Sequence, residues 1–120
     1  MAFTNAGHNP PYILRNSGGL SVLDGARGKP LGIRPTFTYR TESCQLAPGD
    51  GVFLYTDGIT EALNPTNELF SEGRLEDALR TLSAASASQM VSGVMECVRT
   101  FAANAVQADD IAAMGLRFVK

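Results

Sequence analysis

The stretch VFLYTDGITEA, residues 52–62, runs an apolar segment into a carboxylate, Asp57, and then into Gly58. A strand buried over residues 52–55 would leave Asp57 at the mouth of a sheet, and the following glycine lets the chain turn sharply and bring its backbone close to a ligand. Two chemistries fit this position. Asp57 is either the first residue of an Asx-type turn leading to a short helix from Ile59, or an oxygen ligand for a cation. Asp109 and Asp110 stand just before the last apolar stretch. Adjacent carboxylates repel, so such a pair is either solvated in a helix-to-strand loop or neutralised by a cation. If the two strands are neighbours in one sheet, the acids converge, and converging carboxylates suit a hard divalent ion such as Mg²⁺ or Mn²⁺. The residues alone leave both readings open.

The segment NAGHNPP, residues 5–11, carries the one histidine, His8. With no second His and no Cys nearby, zinc ligation lacks support, and a general base would need a partner that the sequence does not identify. A buried, hydrogen-bonded histidine that fixes the turn is the expectation. Cys44 and Cys97 fall in a predicted strand and a predicted helix rather than in a CxxC loop, and read as buried free thiols. The chain contains no GxSxG, P-loop or GxGxxG, which removes the common serine-hydrolase and nucleotide-binding signatures. A haloacid-dehalogenase-like phosphatase would place its aspartate nucleophile where Tyr55 stands.

The elements that would hold these residues change period along the chain. The first half, rich in Gly and Pro, reads as strands over residues 12–15, 20–23, 36–46 and 52–55, with turns at residues 9–11, 17–19, 28–30 and 48–51. Within residues 36–46, Phe37, Tyr39 and Thr41 alternate with Thr38, Arg40 and Glu42, the pattern of a strand with one wet face. Leu75, Ala78, Leu79 and Leu82 then recur at helical spacing, as do Val91, Val94, Met95, Val98, Phe101 and Ala102. Helices are predicted over 72–83 and 88–106, the second capped by Ser88. Residues 83–88 read as a flexible connector, and residues 111–119 as a closing strand that rejoins the sheet. Strands, then helices, then a strand is an α+β layout.

At 120 residues and 44% hydrophobic side chains the chain suits one domain, residues 1–120, with a modest core. Ten basic against 12 acidic residues give a net charge of -2 with no basic run, so nucleic acid is a poor partner. No apolar run is long enough to cross a bilayer and the start lacks the pattern of a signal peptide, so the expected location is cytoplasmic.

Five ordered blocks now line up with one family: NAGHNPPYIL (residues 5–14), PLGI (30–33), LAPGDGVFLYTDGITEALN (46–64), LF with GRL (69–70 and 73–75), and ADDIAAMGLR (108–117). Together they resemble the C-terminal part of the metal-dependent protein phosphatase family (PPM), in its bacterial SpoIIE/RsbU-type branch. The resemblance implies a partial αββα sandwich, antiparallel β-sheets flanked by helices and lacking its N-terminal part. It also implies phosphoserine or phosphothreonine of a regulatory protein in signalling or sigma-factor partner switching as substrate. Two Mn²⁺ or Mg²⁺ ions would act in the complete domain, with attack on the phosphate by a metal-bridging water. Residue by residue, Asp57 of Thr-Asp-Gly matches one metal ligand and Asp109 of Asp-Asp-Ile another. Gly58 and Asp110 adjoin these ligands and would support them rather than bind. No side chain is assigned as nucleophile or general acid.

The family's upstream Asp-x-x-Gly-His-Gly-like segment, whose acid bridges both ions, has no counterpart in these residues. Ser71 stands where a glycine usually follows the phenylalanine, and Ala112 where a small hydroxyl residue is common. The expectation is a fragment of such a domain with little or no turnover by itself, its parent carrying a further sensor or receiver domain. A sheet without its partner strands would expose edges and an apolar face and favour a homodimer. The alternative is a non-catalytic module of the same fold that binds a regulatory partner.

Overall fold

A computed structural model of the chain describes residues 2–3, 5–6, 9–23, 27–28, 42–82, 85–103 and 111–118. Four strands make the main sheet: β3 (Tyr12–Leu14), β4 (Leu20–Val22), β7 (Gly51–Tyr55) and β8 (Ala113–Arg117), in the order β4-β3-β7-β8 and antiparallel throughout. Two smaller ladders pair β1 (Ala2–Phe3) with β6 (Glu42–Ser43), and β2 (Asn5–Ala6) with β5 (Arg27–Gly28). A one-turn helix α1 (Asp57–Thr60) follows β7, and α2 (Ser71–Thr81) and α3 (Ala87–Ala102) come between it and β8. The α+β layout expected from the sequence is therefore present.

Alternation along the strands explains which face the helices cover. Tyr12 and Leu14 of β3 and Phe53 and Tyr55 of β7 point one way and bury against Leu75 and Leu79 of α2 and Met90, Val94 and Val98 of α3. The helical residues recur at four-residue spacing, so each helix offers one apolar stripe. Each such side chain withdrawn from water contributes on the order of 2 kcal/mol. Close approach of α3 to β8 depends on Gly115: a Cβ there would lie 3.0 Å from the Ala87 carbonyl oxygen and 3.3 Å from the Met90 sulfur. A side chain at this position would require the start of α3 to give by a few tenths of an ångström. On the opposite face Met114 and Leu116 remain 55% and 49% exposed.

Several boundaries differ from expectation, each for a local reason. The cap of α3 is Ser86 and not Ser88: its hydroxyl accepts from the Gln89 N–H at 3.2 Å while the Gln89 side chain accepts from the Ser86 N–H at 3.0 Å. That reciprocal box satisfies two of the helix's orphan donors, which an uncapped start at Ser88 would leave open. The end of the supposed connector is thus ordered helix start. Of the strand expected over residues 36–46, residues 36–41 lie outside the described part, Glu42–Ser43 form β6, and residues 44–46 are not in a strand. Both cysteines are free as expected, but Cys97 is exposed on α3 and Cys44 half-buried just beyond β6, so neither is a core thiol. The helix α3 ends at Ala102, and residues 104–106 lie outside the described part.

Candidate metal centre at the end of strand β7

The backbone fixes where Asp57 stands. Tyr55 pairs with Ala113 at the last rung between β7 and β8. One residue further, the Thr56 N–H donates to the Ala112 carbonyl at 3.0 Å and the Ala112 N–H donates to the Thr56 hydroxyl, also at 3.0 Å. Neighbouring strands β7 and β8 thus stay clamped up to the residue before Asp57. Thr56 is the extended residue before α1, and Ile59, fully buried, anchors that turn in the core. The chain therefore turns inward immediately after presenting Asp57, whose carboxylate stays exposed.

The Asp57 carboxylate is held from the neighbouring strand. The Asn9 amide Nδ2 donates to Asp57 Oδ1 at 2.7 Å, and Asn9 precedes Pro10 and Pro11 at the start of β3. Beneath it, Tyr55 and Tyr12 stack with ring centroids 5.8 Å apart, and the Tyr12 hydroxyl donates to Glu76 of α2 at 2.8 Å. Burial raises both phenols above their usual range, the Glu76 hydrogen bond adding to the effect at Tyr12 and the carboxylates of Glu72 and Asp57 to that at Tyr55. Both hydroxyls stay protonated at neutral pH. A shallow cavity of about 230 Å³ lies alongside, lined by Leu54, Tyr55, Thr56, Ala112, Ala113 and Met114.

Of the residues singled out by sequence, Asp57 and Gly58 are placed at this strand end, Gly58 buried in α1. Asp109, Asp110 and His8 lie outside the described residues, although Ile111 and Ala112, which follow the two acids, stand at the same end of the sheet. Among the described residues no three His, Cys, Asp or Glu side chains are grouped so as to hold a metal ion. Asp57 itself fits one position around Mg²⁺ or Mn²⁺: it is an exposed oxygen donor on a fixed backbone, and hard cations take oxygen ligands. Asn9 and Thr56 were not expected at the site. The Asn-Pro-Pro and Tyr-Thr-Asp sequences carry them openly, but only strand pairing shows what they touch.

A family model described as stage II sporulation protein E (SpoIIE) matches residues 1–119. The chain belongs to the SpoIIE family. Among solved structures, this SpoIIE-family chain resembles the SiaA-PP2C domain of Pseudomonas aeruginosa, with a TM-score of 0.80 and 25% identity over 98% of its length. It also resembles the PP2C phosphatase domain with a fragment of the regulatory domain of SpoIIE from Bacillus subtilis, with a TM-score of 0.76, 21% identity and 98% coverage. The protein IcfG of Synechocystis sp. is 32% identical over 111 residues, 92% of this chain. The chain spans 46% of the SiaA chain, 34% of the SpoIIE chain and 17% of IcfG. The fold is that of the PPM phosphatase domains of SpoIIE/RsbU-type regulators, a family that generally uses Mn²⁺ or Mg²⁺. No helix among the described residues is long and apolar enough to cross a membrane.

Proposed function

We propose that the chain is the C-terminal portion of a SpoIIE/RsbU-type phosphatase domain, and that Asp57 and Asp109 provide ligands for the divalent ions with which it hydrolyses phosphoserine or phosphothreonine on a regulatory protein. The observation that carries this is the exposed Asp57 carboxylate at the end of a central strand whose neighbour, β8, follows directly on the Asp109–Asp110 segment. Bound there, Mn²⁺ or Mg²⁺ would supply charge neutralisation on the phosphoryl oxygens and acidification of a water. The chain's own residues do the positioning: Thr56 and Ala112 lock the two strand ends together, Gly58 and Ile59 are buried in the one-turn helix that carries the chain away from Asp57, and Asp110 stands beside Asp109 in sequence. Hydrolysis adds water to phosphorus and releases the serine or threonine hydroxyl and inorganic phosphate. A second copy of this chain is a further proposed partner, supported by the edge position of β8 among the described strands and by exposed Met114 and Leu116 on the face away from the helices.

The test is Mn²⁺-dependent hydrolysis of a phosphoserine peptide by the full product of the gene, wild type against Asp57→Asn. Loss of an outer-shell partner at a metal site costs about 10–100-fold, so loss of a ligand is expected to lower the rate by more than about 100-fold. Equal rates in both proteins would remove Asp57 from the chemistry, and two equally inert proteins would leave the non-catalytic, partner-binding module as the reading.

A further inference from the structure

We infer that Asn9 is a positioning residue for Asp57, fixing the carboxylate in the orientation in which it meets a divalent cation; the inference rests on the metal-ligand reading of Asp57. An aspartate at an exposed strand end is free to turn about χ1 and χ2, and ordering it is an entropic cost that a metal site must meet before it binds. Here the cost is met in advance. The 2.7 Å Asn9 Nδ2 to Asp57 Oδ1 hydrogen bond is short, as expected when a neutral amide donates to a carboxylate.

The donor is itself held. Pro10 confines Asn9 to extended backbone, and both prolines have φ locked near the value their place before a strand requires. The Pro11 carbonyl accepts from the Leu23 N–H at 2.8 Å, and Tyr12 pairs with Phe53 of β7. The amide therefore reaches Asp57 from an adjacent strand through a stiff three-residue arm. An amide also has the right chemistry for this role. A lysine or arginine in its place would cancel the charge that attracts a cation, whereas an amide orients one oxygen and leaves the charge in place. Partners that orient ligands in this way tune metal affinity without touching the ion.

Mn²⁺ affinity by calorimetry, together with melting temperature with and without Mn²⁺, separates this role from a purely structural one. The proteins compared are the full gene product as wild type, Asn9→Ala, Asn9→Leu (the same branched skeleton, no donor) and Asp57→Asn. Both Asn9 variants are expected to melt close to wild type without metal, to bind Mn²⁺ about tenfold more weakly, and to show a smaller Mn²⁺-induced rise in melting temperature. If both Asn9 variants bind Mn²⁺ as wild type does while Asp57→Asn does not, the positioning role is overturned and the ligand role stands. Asp57→Asn binding like wild type, or a wild type that binds no Mn²⁺, overturns the ligand reading and with it the role of Asn9. A lower metal-free melting temperature with unchanged affinity assigns Asn9 to the turn alone and overturns the proposal.

Discussion

Asp50, at the opposite end of β7 from Asp57, shows what a carboxylate does when the fold rather than a ligand claims it. Only 3% exposed, it accepts from the backbone N–H groups of Asn16 at 2.8 Å and Ala47 at 2.9 Å and from Arg15 Nη1 at 2.9 Å. The two backbone donors, with Arg15 as a lesser contribution, hold its pKa below the usual carboxylate range. A group whose folded pKa is depressed stabilises the fold fully above its unfolded pKa, about 3.9, and loses that contribution as pH falls through the folded value. Urea unfolding is therefore expected to show Asp50→Asn less stable than wild type by about 2 kcal/mol at pH 7, with the difference shrinking on acidification below pH about 4. A difference that stays constant with pH would refute this account. The two acids also differ in how far the sequence exposes them. Asp57 stood out because an apolar strand ends on it, whereas Asp50 sits in Pro-Gly-Asp-Gly, where a charged turn residue reads as solvated. Nothing local announces that Arg15 and the Asn16 amide will come round to meet it.

Ser71 carries the same lesson to the level of an element. It opens α2 with φ of 73°, in the left-handed region that favours glycine. Its position is also the one where the family pattern leads one to expect a glycine after the phenylalanine. The unusual residue in the sequence is thus a strained residue in the structure. The turn cannot easily relax, because Arg74 Nη1 donates to the Leu69 and Phe70 carbonyls just before it, at 2.7 and 3.3 Å, while its guanidinium lies 4.5 Å from the Phe101 ring centroid. A side chain in this conformation costs about 1 kcal/mol, part of which glycine gives back through the greater freedom of the unfolded chain. Ser71→Gly is expected to raise stability by about 0.5 kcal/mol in urea titration; a loss of stability would show that the serine is not strained. Periodicity revealed the helices α2 and α3 to within a turn because their apolar stripes are local. It put the cap at Ser88, although the Ser86–Gln89 box was written in the sequence and decides the start.

For the whole molecule, what the sequence withheld is the order of the strands. Alternation shows that a segment is a strand and which residues share a face, but the order β4-β3-β7-β8 rests on pairings between distant segments that leave no local pattern. The order matters for the candidate site because it puts β7, the strand that ends on Asp57, between two neighbours, with Phe53 fully buried on the helix-covered face. The carboxylate thus hangs from an interior strand of the sheet, while α1 beyond it is a single turn. Stability is expected to be distributed accordingly, since buried, doubly paired strands open only with global unfolding and edges and short helices open locally. Native-state hydrogen exchange should find the amides of residues 52–55 slowest, at rates set by the global stability, with residues 113–117 faster and residues 58–61 faster still. If residues 58–61 exchanged as slowly as β7, the turn after Asp57 would be part of the rigid core. If β7 exchanged as fast as β8, Asp57 would lack a rigid mount, and the Asn9 arm would be the main restraint on its carboxylate.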